Sequence, residues 1–171
     1  GKEVERALKT LKREHQMRSL VLDLRSNPGG LLIEAVRICN LFVDKGELIV
    51  STRGKVKQWD SDYMTQQEPV DKEIQLAVLI NRGSASASEI VAGALQDHKR
   101  AVIMGQPTFG KGSVQTIIPI NNNSAVKLTT ALYFTPSGRS IQAEGIKPDI
   151  QLAELKVETA AHQGLKSLKE A

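Results

Sequence analysis

The chain lacks most of what staples or decorates small proteins. Its single cysteine, Cys39, excludes a disulfide framework, and that cysteine with three scattered histidines, His15, His98 and His162, gives no metal-ligand spacing. Aromatic residues are scarce at 4 %, which removes the stacking platform a single-stranded nucleic acid needs. The 23 basic residues exceed the 19 acidic ones, yet Lys2, Lys9, Lys12, Arg13, Lys55, Lys57, Lys99, Arg100, Lys166 and Lys169 form no single stripe, so a nucleic-acid partner is not expected. No run of 18 or more apolar residues predicts a spanning helix, and no signal-peptide pattern opens the chain. It begins inside an amphipathic pattern with Gly rather than Met. That reads as a trimmed segment and leaves location open.

What is present is ordinary for one globular domain: 171 residues, 40 % hydrophobic and 25 % charged. Residues 3–16 place Val4, Leu8, Leu11 and His15 on one face of a surface helix. LVLDL (20–24) reads as a strand buried on both faces, SNPGG (26–30) as a turn, and LLIEAVRICNLFV (31–43) as a helix with Glu34, Arg37 and Asn40 on its wet side. ELIVSTRG predicts a further strand and VKQW another short one, and the polar stretch 60–73 predicts a surface loop. The unit then recurs, with QLAVLIN as strand, RGSAS as turn, SEIVAGALQDH as helix carrying Ile90, Val91, Ala94 and Leu95 inward, and AVIMG as strand. Strands separated by such helices predict βαβ units and a mostly parallel sheet. SVQTIIPI, AVKLTTALYFT and the turn PSGR predict an antiparallel region after it. We divide the chain into a core over 1–152 and a helical tail over 153–171.

In an α/β fold, functional groups gather where strands end and helices begin. Three such turns differ in what they offer. SNPGG offers bare backbone, GSASASE hydroxyls, and GQPTFGKG (105–112) a primary amine. The last is close to a phosphate-binding P-loop, but Gly112 follows the lysine where Ser or Thr must hold magnesium, and a strand pattern follows where a helix is needed. A serine–lysine hydrolase fits the inventory better, since a neutral lysine can replace histidine as general base.

Two readings of each residue stand side by side. Ser86 with Glu89 fits the capping box S-x-x-E, so its hydroxyl could simply cap a helix. Lys111 could be an exposed loop residue, or be partly buried beside Phe109. A base role requires burial, since bringing a lysine from about 10.4 to near 7 takes roughly 4 to 5 kcal/mol of differential destabilisation. Histidine is no better placed, as His98 lies at the far end of the serine helix, about 18 Å away at 1.5 Å per residue. No G-x-S-x-G elbow occurs.

LVLDLRSNPGG (20–30), NRGSASASEIVAGALQD (81–97), GQPTFGKGSVQ (105–115) and TTALYFTPSGRSIQAEGIKPD (129–149) together resemble the successive signatures of the carboxyl-terminal processing, or tail-specific, serine proteases. Four motifs in order are far more specific than any one of them. The resemblance implies Ser86 as nucleophile, Lys111 as base 25 residues on, Gln115 orienting the lysine, and the N–H groups of Gly30 and Ala87 as oxyanion hole. It implies a crotonase- and ClpP-like spiral of βαβ units with an antiparallel C-terminal strand region. It also implies polypeptide substrates with accessible C-termini and non-polar residues near the cut, no cofactor or metal, and an extracytoplasmic location. A PDZ domain and a further core strand are expected upstream, and homo-oligomerisation is left open. Asp97 matches an acidic position that affects activity in some relatives, against a plain solvated helix-end carboxylate. Arg25 is expected to anchor its loop by ion pairing. Gln106 and Ala143 depart from the family's usual Glu and Gly. Two rivals remain: a non-catalytic module that displays peptide along a sheet edge, and nucleotide hydrolysis at GQPTFGKG.

Overall fold

A computed structural model describes residues 1–15, 17–121 and 123–153, so all but the first residue of the expected tail lies outside the described residues. In chain order the elements are α1 (Lys2–His15), β1 (Ser19–Asp23), α2 (Leu32–Cys39), β2 (Leu48–Gly54), a short 3-10 helix (Lys57–Trp59), β3 (Ser61–Met64), β4 (Gln75–Ile80), α3 (Ala87–Asp97), β5 (Val102–Gly105), β6 (Ser113–Asn121), β7 (Ser124–Phe134) and β8 (Ile150–Gln151). They form two four-stranded sheets. The first, ordered β1-β4-β5-β8, is parallel throughout, and the second, ordered β3-β2-β7-β6, is antiparallel throughout.

The strongest helix in the core is α3, buried without a break from Ala87 to Leu95. Its run of small and branched residues has no wet face, as expected of a helix enclosed on all sides. Val78, Ile80 and Ile103 of the parallel sheet, Val36 and Cys39 of α2, and Ile49 and Val50 of β2 share the core with it. Cys39 is a core residue whose thiol burial pushes up to about 12. By contrast α1 buries only Leu8, and carries Glu3 and Glu5 in its first turn and Lys12, Arg13 and His15 in its last, which suits the helix dipole.

Four local expectations change. β1 is an edge strand with one wet face, Val21 being 60 % exposed; a short apolar run does not reveal whether a sheet is covered on both sides. VKQW closes as a 3-10 turn, with Trp59 N–H donating to the Val56 carbonyl at 3.0 Å. The polar stretch after it contains β3, held to β2 by a hydrogen bond from Ser51 Oγ to Asp62 at 2.7 Å. Four mostly exposed residues on a sheet edge leave no hydrophobic period to read. Finally β2 does not return to the parallel sheet after α2 but starts the antiparallel one.

Candidate active site

β1, β4 and β5 are parallel neighbours, so the three turns that follow them emerge at the same end of the sheet. Side chains bind these turns together. Asn81 Oδ1 accepts the N–H groups of Ser26 (2.7 Å) and Gly83 (2.9 Å). Ser84 Oγ donates to the Leu24 carbonyl at 2.7 Å, and Ser88 Oγ donates to the Asn27 carbonyl at 3.1 Å. Phe109 N–H donates to the Ser84 carbonyl at 3.0 Å, tying in the third turn.

These contacts separate the alternating serines. Ser84 and Ser88 are buried and committed to backbone carbonyls just before and within the SNPGG turn, those of Leu24 and Asn27. Ser86 is neither: it is half-buried, its hydroxyl reaches no such carbonyl, and the Glu89 N–H that it faces in the capping box donates to the Ser86 carbonyl at 2.9 Å. Its backbone adopts φ 55° and ψ −117°, the mirror-image turn conformation that glycine usually occupies. Such a conformation costs about 1–3 kcal/mol and persists only where the surroundings enforce it. Gly29 belongs to that enforcement. At φ 98° it lies so close that a Cβ there would meet the Ala85 carbonyl at 2.6 Å and the Ala87 nitrogen at 2.7 Å.

The other half of the capping box is what the site is built around. The Glu89 carboxylate, 0 % exposed, accepts four hydrogen bonds. Oε1 takes the Thr108 hydroxyl (2.5 Å) and Gly110 N–H (2.7 Å), and Oε2 takes Ser86 N–H (2.7 Å) and Lys111 N–H (2.8 Å). Sharing one oxygen at 2.7 and 2.8 Å holds the main-chain nitrogens of Ser86 and Lys111 within about 5.5 Å of each other. A buried carboxylate is tolerated only when its lone pairs are filled in this way.

The lysine side chain differs from the burial that the sequence reading called for. Lys111 is exposed, and among the described residues no hydrogen bond joins its ammonium to the Ser86 hydroxyl. Its main chain is fixed, but the glycines at 110 and 112 provide no side chain to cover the ammonium, which stays in water. Gln115 is also exposed, on β6 beside a bulge between Val114 and Gln115. The nucleotide alternative loses its geometry here, because Gly112 leads directly into β6 and no helix begins there.

Gly30 and Ala87 flank the serine, and among the described residues neither N–H has a hydrogen-bond partner. A Cβ on Gly30 would meet nothing within 4 Å, so the close approach that calls for glycine is at Gly29, and Gly30 borders open space. Asp97 is neither solvated nor near these turns. Its side chain is 8 % exposed, pairs with Arg139 and accepts Ser137 N–H at 2.9 Å, which pins the turn after β7 to the far end of α3. Burial alone would lift this carboxyl, but hydrogen bonds from Thr135 and Ser137 and the Arg139 charge hold it below the usual carboxylate range. His98, at the same end, bonds through Nε2 to the Leu48 carbonyl at 2.7 Å. Arg25 pairs with Asp23 at 2.7 Å, as a loop anchor. Sequence reasoning gave Ser84, Ser88, Asn81, Thr108 and Gly29 no role, and named Glu89 only as half of a capping box, the one visible signal among them.

Residues 1–152 match the family described as peptidase family S41. Over 135 residues the chain is 58 % identical to a carboxy-terminal-processing protease of Bartonella bacilliformis, an alignment covering 79 % of this chain and 31 % of that protein. It is 42 % identical over 144 residues to a probable CtpA-like serine protease of Staphylococcus epidermidis, covering 84 % and 29 %. Among solved structures it is similar to the photosystem II D1 C-terminal processing protease, with a TM-score of 0.80 and 40 % identity over 87 % of this chain and 38 % of that one. The chain thus spans about a third of the length of these relatives. The match runs from α1 through β8 and takes in all three turns; this chain belongs to peptidase family S41.

Proposed function

We propose that the chain carries the catalytic centre of a serine endopeptidase with a Ser-Lys dyad, which cleaves unfolded or C-terminally recognised proteins near their C-termini. The observation that carries this reading is the single Glu89 oxygen shared by the N–H groups of Ser86 and Lys111. It makes main-chain neighbours of the only unburied serine of the S-A-S-A-S run and the lysine that would serve it.

In this mechanism Ser86 Oγ attacks the scissile carbonyl carbon while neutral Lys111 Nζ takes the hydroxyl proton. The tetrahedral oxyanion accepts the free N–H groups of Gly30 and Ala87, each such donor being worth about 3 kcal/mol of transition-state stabilisation. Ala87 stands in the first turn of α3, where the dipole also favours negative charge. As the bond breaks, Lys111 returns the proton to the leaving amine, and water then hydrolyses the acyl-enzyme by the reverse proton path. Gln115 orients the lysine from the strand that follows it. Leu31, next to Gly30, and Phe109, two residues before Lys111, are 69 % and 68 % exposed and favour non-polar residues near the cut. A lysine acts as base only where water is excluded, so bound peptide or chain beyond these residues must cover Lys111. In the longer protein we assign substrate capture to an upstream PDZ domain, place the enzyme in an extracytoplasmic compartment, and leave room for a homo-oligomer.

The test is proteolysis of an unfolded protein substrate by the full-length enzyme and by its Ser86→Ala and Lys111→Met variants. Activity lost in both, with unchanged melting temperatures, supports the dyad. The exposure of Lys111 favours one rival, a non-catalytic peptide-binding module; proteolysis absent from the unsubstituted protein would establish that rival, whereas proteolysis that survives Ser86→Ala would overturn Ser86 as the nucleophile.

A further inference from the structure

We infer that Glu89 is the positioning residue of the dyad: its buried carboxylate sets the serine turn and the lysine turn against each other, and the rate of serine acylation depends on it. The inference rests on the Ser-Lys reading above and extends it to a residue that touches no substrate.

The argument begins with the number of acceptors. Glu89 leaves the first turn of α3, and its two oxygens take two donors each. One pair, Ser86 N–H and Lys111 N–H, belongs to the two reacting residues. The other, the Thr108 hydroxyl and Gly110 N–H, fixes the turn that carries the lysine. Thr108 is fixed in turn, its hydroxyl accepting Ile146 N–H at 2.7 Å, and Gly110 is closed on the other side by Ala143 N–H, which donates to its carbonyl at 2.9 Å. Residues 143–146, between β7 and β8, thus present the lysine turn to the carboxylate already shaped. No other side chain among the described residues hydrogen-bonds both Ser86 and Lys111.

A helix cap alone would need one donor, and Ser86 N–H supplies it. The remaining three come from residues 108–111, over 18 positions away in sequence, and a capping role gives no reason for them. Filling every lone pair also spreads the negative charge over four donors, which limits its repulsion of an oxyanion forming nearby at the Ala87 N–H. The charge-assisted bonds are short and directional, so the carboxylate acts as a rigid spacer between two chain segments whose mutual distance decides whether the proton can move.

Glu89→Gln tests this, because glutamine has one acceptor oxygen where glutamate has two. Whichever way the amide turns, one pair of N–H or O–H donors faces an NH2 group. In the full-length protein, a fluorophosphonate probe reads the result: Ser86 Oγ displaces fluoride from phosphorus, the amplitude counts folded sites, and the rate reports positioning. At full amplitude, the labelling rate of Glu89→Gln should fall on the order of 10²-fold, the usual consequence of an ångström of misplacement, and kcat should fall with it while KM stays. A merely structural role predicts the opposite pattern, reduced amplitude with the surviving sites reacting at the unsubstituted rate, and would overturn the inference. If Glu89→Gln does not fold, Thr108→Val decides. It removes one donor that touches neither Ser86 nor Lys111, and a rate unchanged at full amplitude would likewise overturn it. Failure to label the unsubstituted protein is a failure of the dyad reading itself, and so is told apart.

Discussion

The two sides of the site are held in place by different means. The serine side stands on α3, a helix enclosed along nine residues, and on a turn cross-linked by buried hydroxyls to its neighbour. The lysine side stands at the root of the β6–β7 ribbon, whose outer part is open to water, with Ile117 and Ile120 both about two-thirds exposed. A dense core over-determines the backbone and can hold a serine in a conformation that it would not adopt alone. The outer ribbon has no such reserve, and the lysine turn at its root is located by hydrogen bonds, those to the Glu89 carboxylate together with bonds to Ser84, Ala143 and Ile146. Ser86 is therefore positioned by packing and Lys111 by polar contacts, and the two should respond differently to mutation.

The largest effect expected is in the packing. Leu95→Ala empties a fully buried position in α3 and should lower unfolding stability by about 2–5 kcal/mol, read from denaturant melts. A loss below about 1 kcal/mol would show that the helix is less firmly enclosed than its burial indicates. Next is Asp97→Asn, which removes the charge that binds Arg139 and should cost about 1–2 kcal/mol near neutrality. The sign follows from linkage. The folded carboxyl sits below its ordinary value, so its contribution is complete above the unfolded value and declines as pH falls below about 4. The acid limb of a stability–pH curve should flatten in Asp97→Asn, and an unchanged limb would assign acid lability elsewhere.

Ser86→Gly should raise stability by about 1 kcal/mol while abolishing proteolysis, since glycine adopts φ 55° without strain. Destabilisation would mean that the conformation costs less than the glycine's added unfolded-state entropy. Smallest is Ile117→Thr on the ribbon, which should leave stability within about 0.5 kcal/mol. A loss comparable to that of Leu95→Ala would remove the contrast between the two sides.

Individual residues show how far sequence reading reached. Ile90, Val91, Ala94 and Leu95 are buried as expected, but so are the residues between them, which their helical spacing did not reveal. The turns SNPGG, GSASASE and GQPTFGKG sit at one end of the parallel sheet, because glycine and proline punctuate locally and parallel strands point the same way. β3 escaped notice because edge strands carry little hydrophobic period. Which of the two readings of Lys111 holds was not legible, because a neighbouring Phe109 in sequence does not mean a neighbouring Phe109 in space; that ring itself faces water. Ala143 shows the converse: it stands where relatives often have glycine and takes φ 64°, so a departure read from the motif marks a real backbone constraint.

The sequence by itself determined α1, α2, α3, the strands β1, β4 and β5, the three turns and the family, since each follows from local periodicity, turn chemistry and ordered motifs. Only the tertiary structure decided that β2 leaves for a second sheet, which of three alternating serines keeps its hydroxyl free, and that one glutamate joins the serine and lysine turns. Those outcomes depend on which distant donors find which acceptors once the chain is folded, and no window of neighbouring residues contains that information.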